Sequence, residues 1–64
     1  GPTLQQHRVV RMAHKYGWYE VPKRTSIREL AEKLGLSKST VSEQLVKAEG
    51  EIVANFLDHS SGSE

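Results

Sequence analysis

The sequence predicts an all-α domain of three helices, the last of them long. Three observations carry this. Thr3, Ser26 and Ser37 each stand where a hydroxyl can cap a helix start, and each is followed by apolar residues at helical spacing. Gly17 and Gly35 stand just past the first two of these segments, where a left-handed stop belongs. The whole chain is 64 residues, enough for one domain and for only about 60% burial of its unfolded surface.

The elements follow in order. Gly1-Pro2 reads as the remnant of a cleaved tag and is set aside. Thr3 with Gln6 fits a capping box, in which each side chain reaches an unpaired amide of the first turn. Val9, Met12, Ala13 and Tyr16 then give a helix over about residues 4–16. The segment from Trp18 to Thr25 contains Pro22, which pushes Val21 to extended backbone and predicts a loop or short strand. Trp18 and Val21 are expected to cover the open end of a small core, and Tyr16 and Tyr19 to pack rather than stack on bases. Ser26 and Glu29 form a second capping box, with Ile27, Leu30, Ala31 and Leu34 on one face, ended by Gly35. Ser37 opens the third helix, about 38–57, whose stripe runs Val41, Leu45, Ala48, Ile52 and Phe56. Gly50 leaves two alternatives, a continuous last helix or one broken there to give a fourth. Residues 60–64 hold nothing apolar and are expected to form a disordered tail, so the folded unit is 3–59.

Composition narrows the function. No cysteine means no disulfide framework and no thiolate metal site. Apolar runs stop at two or three residues, against the roughly 18 of a membrane span. The core is too small to wall an enclosed catalytic cleft. His7 and His14 stand on one helix without a third ligand nearby, so no metal or other cofactor is expected. The formal charge of +1 conceals an asymmetry: residues 1–47 hold nine bases and four acids, leaving +5, while residues 48–64 hold four acids and no base. The basic part suits a polyanion.

Ser26 to Leu45, SIRELAEKLGLSKSTVSEQL, carries the function. The second helix is short, with small Ala31 on its buried face so that the third helix can approach. Gly35-Leu36-Ser37 makes a tight connection, Leu36 plugs the angle, and Val41 and Leu45 dock the third helix. This is the helix-turn-helix layout, whose second member lies in the DNA major groove. On these residues, with Thr3…Gln6, MAHKYGWYEVP (Met12 to Pro22) and Ala48-Glu49, the stretch from Thr3 to Phe56 resembles the helix-turn-helix domain of archaeal regulators of the bacterio-opsin activator type. The latter half is also similar to sigma-factor region four and to response-regulator output domains. The resemblance implies a DNA-binding output domain at the end of a longer chain. Gly50 and Glu51 depart from it, standing where the family tends to be basic or helix-favouring.

A helical wheel at about 100° per residue sorts the third helix. Opposite Val41, Leu45 and Ala48 lie Ser39, Glu43, Val46 and Gly50, with Thr40 and Lys47 on one flank and Ser42 on the other. Ser39, Thr40, Glu43 and Lys47 are therefore the candidates for base edges, Glu43 as acceptor from a cytosine amino group. Ser37 and Lys38 at the helix N-terminus, Arg24 and Arg28 before and within the second helix, and Ser42 are candidates for phosphates. Each has a plainer use: Ser37 as N-cap, Glu43 and Lys47 as a surface ion pair, the basic loop residues as solvated side chains.

The expected function is sequence-specific binding of double-stranded DNA by the output domain of a transcriptional regulator, not an enzyme. It has no small-molecule substrate or membrane and acts in the cytoplasm. Val53, Phe56 and Leu57 extend past what three short helices can cover, and offer a homodimer seam, a contact for upstream modules or a simple cap on the core. The alternative is a protein-interaction or dimerisation module built on the same fold. It would want aromatic or branched anchors on the outward face of the third helix, where only Val46 is apolar. Single-stranded or RNA binding would require exposed aromatics.

Overall fold

The structure, a computed structural model, describes residues 4–61, with side chains for residues 4–59. It contains α1 (Leu4–Lys15), α2 (Ile27–Leu34) and α3 (Lys38–Ser61), and no strand among the described residues. The expected tag remnant at Gly1-Pro2, the expected cap at Thr3 and residues 62–64 of the expected tail lie outside the described residues.

Each helix buries the face its periodicity marks. Val9 and Ala13 of α1, Leu30 and Ala31 of α2, and Val41 and Leu45 of α3 form one cluster, with Ala48 buried beside it. Met12, Tyr16, Trp18, Ile27, Leu34 and Leu36 close its edges. Both α1 and α2 pack on α3, which is the spine of the domain. Gln6, expected as the second half of the first capping box, is buried in the first turn of α1.

Gly17 organises the α1–α2 connection. At φ +89° it turns the chain out of α1, with the Trp18 amide donating to the Ala13 carbonyl at 2.8 Å. Its own carbonyl accepts from Glu20 (3.2 Å) and Arg24 (3.0 Å), folding the loop around one peptide group. The short-strand alternative for Trp18 to Thr25 is replaced by turns and bends. Val21 does not cover the core: it is 98% exposed, because the turn directs it outward and leaves Trp18 alone against the cluster. Tyr19, expected to pack in the core, is 43% exposed and lies instead on α3, its hydroxyl donating to the Glu49 carboxylate at 3.1 Å.

Of the two alternatives at Gly50 the continuous helix holds: α3 runs unbroken through it, with no fourth helix among the described residues; one glycine costs about 1 kcal/mol relative to alanine, too little to interrupt a ladder intact on both sides. The helix is longer than the expected 38–57, reaching Ser61. Residues 48–55 still lie beside Gln6, His7 and Val10 of α1; beyond them α3 projects past the bundle, and the extents are 43 × 26 × 16 Å. Ile52 and Phe56, on the same wheel face as the core, are 58% and 63% exposed: Ile52 is only partly covered by Val10 and Tyr19, and no residue of α1 or α2 is seated on Phe56 in the core cluster.

Candidate nucleic-acid interface

The interface is built from two caps and a turn. Ser26 is the N-cap of α2, its hydroxyl accepting from the Glu29 amide at 3.1 Å, while the Glu29 carboxylate accepts from the Thr25 hydroxyl at 3.4 Å. At the other end Gly35 adopts φ 69°, ψ 31°. Its amide donates to the Glu32 carbonyl and the Leu36 amide donates to that of Ala31 (3.0 Å), a Schellman closure. That closure sets the angle at which the chain leaves α2. Leu36 turns inward against the core, and Ser37 caps α3: its Oγ accepts from the Thr40 amide at 3.1 Å and donates to the Thr40 Oγ1 at 2.8 Å.

The first turns of α3 are thus fixed from both sides, by the Ser37 cap and by Val41 and Leu45 in the core. The outward positions are Ser39, Ser42, Glu43, Val46 and Lys47, all exposed. Thr40 is half-buried and its hydroxyl is engaged by Ser37. Glu43 and Lys47 form the i,i+4 pair at 3.4 Å. Their charges offset each other until a partner competes for one, since an exposed pair of this kind is worth only about 0.3–0.5 kcal/mol. Lys38, in the first turn, is exposed.

The cations around the turn are held in several ways. Arg24 stacks its stem against Gly17 and its guanidinium lies 3.8 Å from the Glu20 carboxylate. Lys23 sits over the Trp18 ring at 4.1 Å from its centroid and donates to the Trp18 carbonyl at 3.1 Å. Lys33 lies over the Tyr16 ring at 4.5 Å. Arg28 is exposed and, among the described residues, has no acidic partner.

One feature is legible on the wheel and one is not. Val46, the apolar exception on the outward face, stands 65% exposed among polar residues, a surface suited to a thymine methyl. The Tyr19–Glu49 bond joins residues thirty apart and has no local signal. Desolvation against α3, then the bond to Glu49 and the charge of that carboxylate, push the Tyr19 phenol up to about 12.

Comparison with known proteins agrees with this geometry. Residues 3–54 match the family described as the HTH DNA binding domain, of the bacterio-opsin activator type. The dimethyl sulfoxide reductase transcriptional activator of Haloferax volcanii is 38% identical over 56 residues, covering 88% of this chain and 26% of that protein. The transcriptional regulator NarO of the same organism is 32% identical over 56 residues, with the same coverage. The chain therefore spans about a quarter of the length of these curated relatives. No solved structure matches it.

Proposed function

The chain belongs to this family of helix-turn-helix DNA-binding domains, and from that premise we propose that it reads a specific sequence in double-stranded DNA as the cytoplasmic output domain of a transcriptional regulator. The observation that carries this is the first half of α3, rigidly capped and docked yet exposed along one small, polar face. Ser39, Thr40, Glu43 and Lys47 contact base edges, with Val46 beside them, and Glu43 accepts from a cytosine amino group once its pair with Lys47 opens. Ser37, Lys38, Ser42, Arg28 and Arg24 hold the backbone; Arg24 exchanges Glu20 for a phosphate when it does so. With about three phosphates neutralised per domain, the salt slope is about −3.

The test is a titration of duplex DNA, selected from a randomised library, followed by amide shifts. Shifts at residues 37–47 and in the preceding loop are expected. Shifts confined to residues 52–57 would favour the protein-interaction reading instead. Lys38→Ala should weaken binding to all duplexes alike and flatten the salt slope by about one unit. Glu43→Ala should change base preference; the same selected sequence in the variant would remove Glu43 from the readout.

A further inference from the structure

The second half of α3 leaves Ile52, Val53, Phe56 and Leu57 exposed at 58%, 55%, 63% and 58%. Beside them lies an apolar pocket lined by Val10, Tyr19, Glu49, Ile52 and Val53. Glu49 does not spoil its apolar character, because the carboxylate is engaged by the Tyr19 hydroxyl. We infer that this face is the seat of a second copy of the same chain, packed antiparallel along α3 with its crossing at residues 54–55.

Self-complementarity favours a second copy over an unrelated occupant. A twofold at 54–55 sets Val53 against Phe56 of the second copy and Ile52 against its Leu57. The knob, Phe56, then meets the hole beside Val53, and the same contact is made twice. Glu51 and Asp58 also fall opposite each other, yet both point away from the seam, roughly 170° around the helix from its centre. The four apolar side chains, half to two-thirds exposed, offer with Tyr19 roughly 500 Å² per copy. Two copies together reach about the 1,000 Å² that a specific interface requires.

The same geometry fits the proposed function, on which this part of the inference rests. Around α3 the apolar face is centred roughly 80° from the buried line of Val41, Leu45 and Ala48, and roughly 125° from the recognition line of Ser39, Thr40, Glu43 and Lys47. In an antiparallel pair the twofold is perpendicular to the plane of the two helices. Recognition lines that lie well off the seam therefore look out together on one side, with both cores on the other. From the crossing to Glu43 is about 17 Å at 1.5 Å per residue, so the two Glu43 residues stand about 35 Å apart.

The test uses the 64-residue chain without DNA, so that its failure is separate from failure of DNA binding. Sedimentation equilibrium from micromolar to about 1 mM should show the mass doubling from 7.2 kDa, and Phe56→Asp should return it to the monomer with its helical circular dichroism intact. Because the chain has no cysteine, the double variant V53C/F56C should oxidise to a covalent dimer, whereas E51C/D58C, equally opposed in sequence but turned outward, should not. A mass of 7.2 kDa at about 1 mM overturns the proposal and leaves the face to another part of a longer chain. A dimer that survives Phe56→Asp, or cross-links faster through E51C/D58C, overturns the seam. A V53C/F56C dimer that no longer binds any duplex overturns the placing of both recognition lines on one side of the pair.

Discussion

The three described glycines with distinct surroundings make a series in which the structure predicts both order and sign. Gly17 has φ +89°, and a Cβ built there would stand 2.7 Å from the Arg24 Cβ and 3.1 Å from a Glu20 carboxylate oxygen. An L-residue pays about 1–2 kcal/mol for the left-handed conformation. The clash is with the root of the Arg24 side chain, not its flexible end, so backbone must move, at about 1–3 kcal/mol more. Gly17→Ala therefore costs on the order of 2–5 kcal/mol, against a total stability of about 3–10 kcal/mol for a chain this size. Gly35 has φ +69° but open space around it, so Gly35→Ala costs only about 1–2 kcal/mol. Gly50 is ordinary helix with nothing within 4 Å, and Gly50→Ala stabilises by about 0.5–1 kcal/mol. At about 4–8 °C per kcal/mol for a domain of this size, thermal melts followed by far-ultraviolet circular dichroism should separate all three. Gly17→Ala should lose at least about 10 °C, Gly35→Ala about half as much or more, and Gly50→Ala should gain a few degrees. A Gly17→Ala protein melting with the parent would refute the loop geometry. A loss of stability in Gly50→Ala would refute the unbroken helix.

Two further outcomes test the packing around α3. Ala31 is 5% exposed in the core cluster, so Ala31→Leu should overpack the α2–α3 contact and lower stability in urea by about 1–3 kcal/mol; a parental midpoint would contradict the close approach of the two helices. Absorbance at alkaline pH should show the Tyr19 phenolate forming near 12, a step absent in Tyr19→Phe. Since the folded value is raised above the ordinary 10, the stabilisation from the Tyr19–Glu49 contact is complete below pH 10 and is lost as pH rises from 10 towards 12; ionisation of Tyr19 at the ordinary value would show the contact is not made in solution.

What the sequence reveals and what it conceals divides along sequence separation. Ser26, Gly35 and Ser37 announce their roles because each bonds groups three to five residues away, so the motif is written locally. Val41, Leu45 and Ala48 are equally plain, since a helical period states which face is inward. The same period continues into Ile52 and Phe56, but it cannot state how much of that face the other elements cover, and there the inward face becomes an exposed one. Val21 misleads for a related reason: an apolar residue in a loop is inside only if the turn aims it there, and apolar atoms are common on surfaces. Tyr19 and Glu49 meet across thirty residues through the fold alone. The candidate contacts on α3 were placed by the wheel, and the structure adds that Thr40 and Ser37 are already bonded to each other and that Glu43 and Lys47 are paired.

The distribution of charge is sharpened in the same way. A surplus of +5 over residues 1–47 suggests a broad attraction for a polyanion, but the fold divides it. Arg8 and Arg11 project from α1 on the side away from Val9 and Ala13. Lys15, Lys23 and Lys33 rest over aromatic rings, and Arg24 and Lys47 face acids. Lys38 and Arg28 are the cations near the turn with neither an acid nor a ring among the described residues. One domain therefore has few phosphates within reach, and a screened attraction of that size supports only weak binding at physiological salt. In the function proposed above, affinity for one operator over many comes from the proposed base contacts of α3, and from doubling those contacts through the pairing proposed for its far end. In such a pair the acidic, apolar end of α3 lies between the two recognition segments, where it takes no part in holding phosphate and is free to hold the second copy.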